Sequence, residues 1–257
     1  MDVEIYIRYA TTLMVQIGIH KTRGIQNRTM VYLGSNAKQE ERDVMGVPAI
    51  IPFKPENPKT RLSCILAPAE RAEFARAMLC DVVDAVCSAG CLPRVLSTAP
   101  IAFTRCPVDV IPLGLNETLN RKLSGMCGPV LILMADLPLA DAAAVRRVVA
   151  TTRDMAIVPG RGGGTNAIYL ARGDSFSVDY YGASFLKHVR IAEKRGLSFE
   201  VVDTFRMHTD VDEKEDLVEL LIHGEGTSRH FLVDLGFEIT IEKGRAGIAR
   251  KSCGEKT

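Results

Sequence analysis

A lone carboxylate, Asp136, ends an unbroken apolar run over residues 130–135 and is followed by Leu137 and Pro138. A run this short reads as a strand buried on both faces, in the middle of a parallel sheet. An acid at the carboxyl edge of such a strand stands where open α/β sheets place their chemistry. Capping of the next helix is the competing use, and Asp141 is better placed for it, directly before the apolar-striped segment 142–150.

Four other clusters offer matching chemistry. Residues 54–63 carry Lys54, Lys59, Arg61, Thr60 and Ser63 directly after the first apolar strand, so three cations and two hydroxyls hang over the same sheet edge and can neutralise a polyphosphate. The turn Gly160-Arg161-Gly162-Gly163-Gly164-Thr165-Asn166 has neither the strand-to-helix context of a dinucleotide fingerprint nor the GK[ST] end of a P-loop. Its glycines instead leave backbone N–H groups unshielded for a phosphate or carboxylate, with the Thr165 hydroxyl and Asn166 amide beside them; the alternative is a hairpin that needs positive φ. In 209–217, Asp212 and Glu215 have the spacing of a capping box, which leaves Asp210 to meet Asp136 in an oxygen-only site for a hard cation such as Mg²⁺. Finally, Gly182 and Ser184 open a helix whose free N–H groups suit a second anionic group, while His188 stands either at that site or on the helix surface.

Positioning these residues falls to strands and helices that alternate from Gly46 onward. Strand-like runs at 47–53, 92–98, 108–112, 130–135, 155–159, 167–171, 198–203 and 237–243 are separated by helical segments. The longest helix, 68–90, carries Phe74, Met78, Val82 and Val86 as one stripe. Helical patterns follow at 115–125, from Asp141, at 183–196, in 208–224 and at 226–236. This alternation predicts an α/β fold of three layers, α/β/α, around a mostly parallel central sheet. Residues 1–45 are polar and lack a stripe long enough to bury, so they read as an N-terminal extension to a domain at 46–257. They are an appendage preceding a true start at Met45, or they add an edge strand.

A chain of 257 residues, 47% hydrophobic, can bury one large core, and a net charge of +1 offers no global field for nucleic acid or an anionic membrane. Seven cysteines with no CxxC pair point to a reducing cytoplasm. No apolar run approaches the ~20 residues that span a bilayer. The apolar stretch from Leu217 to Gly236 either makes a homodimer or closes the core.

Together the segments 51–63, 115–120, 134–139, 158–167, 180–188 and 210–224 resemble the 2-phospho-L-lactate guanylyltransferases, the CofC-like enzymes of coenzyme F420 biosynthesis in methanogens. That resemblance implies a nucleotide-diphospho-sugar transferase-like fold and a reaction joining GTP to (2S)-2-phospholactate, which gives lactyl-2-diphospho-5'-guanosine and pyrophosphate. By the same analogy Asp136, Asp210 and Asp212 hold Mg²⁺, Lys54, Lys59 and Arg61 contact the triphosphate, and Asn116 and Asn120 lie near the nucleotide. Thr165, Gly182 and Ser184 grip the phospholactate. Three readings stay open beside it: the same chemistry on phosphoenolpyruvate or another three-carbon phospho-acid, a metal-dependent glycosyltransferase, and a non-catalytic nucleotide-binding module.

Overall fold

The computed structural model describes residues 46–242 and 244–251, so the expected extension at 1–45 lies outside the described residues. Seven strands form one sheet in the order β3-β2-β1-β4-β6-β5-β7: β1 Pro48–Phe53, β2 Leu92–Ser97, β3 Val108–Val110, β4 Val130–Leu133, β5 Met155–Pro159, β6 Thr165–Leu170 and β7 Phe199–Val201. The helices between them are α1 Pro68–Ser88, α2 Leu115–Leu123, α3 Ala142–Val149, α4 Ser184–Lys194, α5 Phe205–His208, α6 Asp216–His223 and α7 Thr227–Asp234.

The strand pleat sorts side chains onto two faces. Ala49, Ile51, Leu131 and Leu133 enter one core with residues of α1 and α3, whereas Ile50, Val130 and Ile132 enter the other with Leu119, Leu123, Val189 and Ala192 of α2 and α4. β4 is buried at all four positions because it is covered on both faces, as its uninterrupted apolar run requires. A third core, in which Phe74 and Met78 of α1 meet Leu217, Leu220 and Leu232, seats α6 and α7 beside the sheet. At its margin Asp81 of α1 accepts the Thr227 and Ser228 N–H groups at 2.6 and 2.9 Å, capping α7 from another helix. Asp141 caps α3 by accepting from the Ala144 N–H at 2.7 Å, as its position predicts.

Direction and ends differ from expectation in places. β6 runs antiparallel to both β4 and β5, so the glycine-rich segment is the turn of a hairpin inside an otherwise parallel sheet. β4 ends at Leu133, and Met134 to Asp136 leave the sheet as loop. Among the described residues the C-terminal strand β8, Phe237–Glu242, pairs only with β9, Arg245–Arg250, in a separate antiparallel ladder. Neither β9 nor the short α5 has a sequence pattern long enough to read.

Candidate active site

The chain leaves β1 at Phe53 and reaches Lys59 through two prolines, Pro55 and Pro58. Lys59 holds a left-handed backbone, φ 50° and ψ 48°, at the head of a 3-10 turn, Thr60–Cys64. A non-glycine residue there costs about 1 kcal/mol or more, and the ion pairs of its side chain offset that cost. The Nζ atom donates to Asp136 Oδ2 at 2.9 Å and to Asp212 Oδ1 at 2.5 Å, with the side chain only 10% exposed. Burial pulls the Lys59 pKa down, but the Asp136 and Asp212 charges outweigh it and leave the pKa raised, so the ammonium is protonated at any physiological pH. The Arg71 guanidinium fixes the preceding turn by donating to the Pro58 carbonyl at 2.8 Å.

Two more segments meet Asp136. Its carbonyl accepts the Val211 N–H at 3.0 Å, which ties 210–212 to the end of β4 across some seventy residues of chain. From the hairpin turn, the Arg161 N–H donates to Asp210 Oδ1 at 3.3 Å and the Arg161 guanidinium pairs with Asp216. Burial first, then the Asp136 and Asp212 charges, raise the Asp210 pKa above the usual carboxylate range. The capping box expected of Asp212 and Glu215 does not form. Asp216 Oδ2 instead accepts the Asp212 and Glu213 N–H groups at 2.9 and 2.8 Å, freeing the Asp212 carboxylate for Lys59 and, at 3.8 Å, for Arg61.

For a divalent cation the donor chemistry suits: carboxylate oxygens only, crowded and buried enough to raise the Asp210 pKa. The set is not preassembled, however. Among the described residues no group of three or more His, Cys, Asp and Glu side chains stands at metal-holding distances, because Lys59 fills the space between Asp136 and Asp212.

Two clefts adjoin this centre and share Pro52, Phe53, Lys54 and Met134. One, of about 310 Å³, is lined by Lys59, Asp136 and Asp212. The other, of about 360 Å³, has an apolar lining that includes Leu96, Leu115 and Leu119, with exposed Tyr181 at its rim. Thr118 lines it too, and its buried hydroxyl has no hydrogen-bond partner among the described residues. Lys54 and Ser63 are exposed beside the site.

On the far side of Asp210 the β5–β6 hairpin turns on Gly162 and Gly163, φ 65° and 82°, values that glycine adopts without strain. A Cβ on Gly163 would stand 3.8 Å from Ala183, so the turn abuts the start of α4. Gly164 closes the turn by accepting the Gly160 N–H at 2.9 Å. The chain enters α4 through Tyr181 and Gly182, both left-handed at φ 79° and 65°. Ser184 is not a side-chain cap: its hydroxyl lies 3.1 Å from Thr165 Oγ1, and Thr165 in turn is 2.9 Å from His188 Nδ1. His188 is fully buried rather than on the helix surface.

Three of the residues expected at the ligands also make hydrogen bonds within the fold. Asn166 donates its amide to the Met207 and His208 carbonyls at 3.0 and 3.1 Å. Asn120 pairs both its amide ends with the Val178 backbone, at 3.0 and 2.7 Å, and Asn116 accepts the Tyr180 N–H at 2.7 Å. Spaced one helical turn apart, the two side chains continue a strand-like ladder and fix 178–180, hence Tyr181 at the cleft. Arg161, which no sequence argument singled out, links the hairpin to both Asp210 and α6; a lone cation inside a glycine-rich turn was its only signal.

A family model described as "Guanylyl transferase CofC like" matches residues 47–252. The chain is 56% identical over 202 residues to the 2-phospho-L-lactate guanylyltransferase of Methanoregula boonei, covering 79% of this chain and 94% of that protein. It is 54% identical to the enzyme of that name from Methanosphaerula palustris, over 79% of this chain and 98% of that one. A crystal structure from Desulfovibrio desulfuricans G20, of a protein provisionally assigned as a nucleotide-diphospho-sugar transferase, shares the fold at TM-score 0.62 and 17% identity, over 74% of this chain and 95% of that one. With a matching family model over most of its length and relatives above half identity, the chain belongs to the CofC-like guanylyltransferases, a family of nucleotidyltransferases.

Proposed function

We propose that this enzyme joins GTP to (2S)-2-phospholactate with release of pyrophosphate, the step named for its relatives and a step of coenzyme F420 biosynthesis. The observation that carries the reading is the Lys59 ammonium held between Asp136 and Asp212, with a cleft on one side and the Gly162–Gly163 turn and α4 on the other. The acceptor's phosphate monoester is largely dianionic at neutral pH, so its oxygen attacks the α-phosphorus without a protein base.

The difficulty lies in bringing two polyanions together. Lys54, Lys59 and Arg61 supply positive charge where the triphosphate enters the cleft, and the apolar cavity beside Lys54 suits a flat base. Asp136, Asp210 and Asp212 would hold Mg²⁺, with Lys59 moving from the acids to the phosphates. When bound, that ion neutralises phosphate charge and aligns attacking and leaving oxygens. Thr165, Ser184, Gly182 and the N–H groups of Gly162 and Gly163 surround the acceptor, while the Gly164 N–H donates to the Arg161 carbonyl at 3.3 Å and closes the turn.

No described helix is long and apolar enough to cross a membrane, and the free cysteines fit the reducing cytoplasm. Ile239 and Ile241 are exposed beyond buried Phe237 on one face of β8, a surface that suits a second copy in a homodimer. Pyrophosphate release, measured across four nucleoside triphosphates and a panel of phosphorylated three-carbon acids, tests the reading. GTP with 2-phospholactate is expected to be fastest. Release without any phospho-acid, or equal rates with ATP, would contradict it, and a preference for phosphoenolpyruvate would change the acceptor alone.

A further inference from the structure

His188 is buried beneath the acceptor side of the site, inside a cage that includes Phe176 and Tyr180, with ring centroids 5.9 and 4.9 Å away. The Asp179 main-chain N–H donates to its Nε2 at 2.9 Å. An N–H can donate only to a bare nitrogen, so the neutral ring carries its proton on Nδ1, and Nδ1–H donates to Thr165 Oγ1 at 2.9 Å. Burial, its largest influence, draws the His188 pKa to about 4; Asp179 opposes and Lys187 reinforces that, and these two charged groups pair with each other at 3.1 Å.

Counting protons shows what this tautomer does. The His188 ring, Thr165 and Ser184 bring three donor hydrogens: Nδ1–H and two hydroxyls. Two are consumed inside the chain, one from His188 to Thr165 and one between the hydroxyls, whose oxygens are 3.1 Å apart. Whichever hydroxyl donates to the other, one O–H is left over for a ligand. With the proton on Nε2 the count changes. Nδ1 would then draw the Thr165 hydrogen inward, Ser184 would donate to Thr165, and only lone pairs would face the acceptor. An anion is repelled by the second arrangement and bound by the first.

We propose that His188 is a positioning residue for the acceptor: its Nδ1–H tautomer, fixed by the Asp179 peptide, obliges the Thr165–Ser184 pair to present a hydroxyl hydrogen to the substrate's phosphate. The proposal rests on the reading above that this pair holds the phospho-acid.

Two substitutions in the full chain separate the roles of the ring nitrogens. His188→Asn keeps an N–H at the place of Nδ1, whereas His188→Gln reaches the place of Nε2 and leaves Thr165 without its donor. The Asn variant is expected to keep the KM for 2-phospholactate within about 3-fold of the parent. The Gln variant still has one O–H to spare but has lost the Nδ1–H bond that holds Thr165 in place, and it is expected to raise that KM by about 5- to 10-fold, the value of one neutral hydrogen bond, with the KM for GTP unchanged in both. Equal effects of the two substitutions, or parallel rises in the KM for GTP, would overturn the proposal. Nitrogen NMR of the unaltered protein reads the tautomer without any variant; Nδ1–H supports the proposal and Nε2–H overturns it. Thr165→Val separates the acceptor site from the role of His188 beneath it. If it leaves the KM for 2-phospholactate unchanged, the acceptor assignment itself fails; if it raises that KM while His188→Gln does not, only the role of His188 fails.

Discussion

At the scale of the residue, the site is a balance between a cation that is present and charges that exceed it. Lys59 neutralises Asp136 and Asp212, while Asp210 is raised by burial and by those two acids. A carboxyl whose folded pKa lies above its unfolded value keeps its proton longer in the fold, so its ionised form costs stability above that pKa. Asp210→Asn is therefore expected to raise Tm at pH 8 by about 2 °C, while turnover falls by about 10²-fold or more. Mg²⁺ should raise Tm of the parent and not of this variant; a variant that melts lower and still responds to Mg²⁺ would remove Asp210 from the cation site. His188 has the opposite sign. Its folded pKa of about 4 lies below the unfolded 6.5, so the unfolded chain binds more protons between those values. Its contribution is complete above pH 6.5 and is lost as pH falls toward 4, on the order of 3 kcal/mol in all. Urea unfolding at pH 7 and pH 4.5 should show that loss in the parent and not in His188→Asn.

At the scale of the element, the sequence was legible wherever a period could be counted. The stripe Phe74, Met78, Val82 and Val86 gave α1, and the run ending at Asp136 gave the strand that presents it. Period carries no direction, so β6 could not be distinguished as antiparallel. A hydrogen-bonding side chain, moreover, does not disclose its partner. The spacing of Asp212 and Glu215 satisfied the capping pattern, yet Lys59, 153 positions away in the chain, claims Asp212. The resemblance places Asn116 and Asn120 near the nucleotide, and in the fold both side chains also hydrogen-bond the backbone of 178–180. Asn120→Ala is accordingly expected to loosen Tyr181 and the entry to α4, lowering Tm by a few degrees and raising the KM for the phospho-acid several-fold; a rise in the KM for GTP alone would instead support the nucleotide role. Asp81→Ala strips the cap from α7 and should cost about 2 to 4 kcal/mol in urea unfolding, with KM values unchanged at low temperature. A loss under 0.5 kcal/mol would show that the cap is dispensable.

At the scale of the molecule, three loops from distant parts of the chain converge on one sheet edge because the fold leaves them there: the loop after β1, the end of β4, and the segment before α6 that the third core holds in place. Resemblance to a family supplied the acceptor and the nucleotide; geometry supplied the pairing of acids with Lys59 and the buried support under Thr165. The most direct test of the central claim, that Asp136 belongs to a nucleotidyl-transfer centre, is the rate of pyrophosphate release by Asp136→Asn with GTP, 2-phospholactate and Mg²⁺ all saturating. The account predicts a fall of about 10²-fold or more in a protein that melts within a few degrees of the parent. A rate equal to the parent's would contradict it.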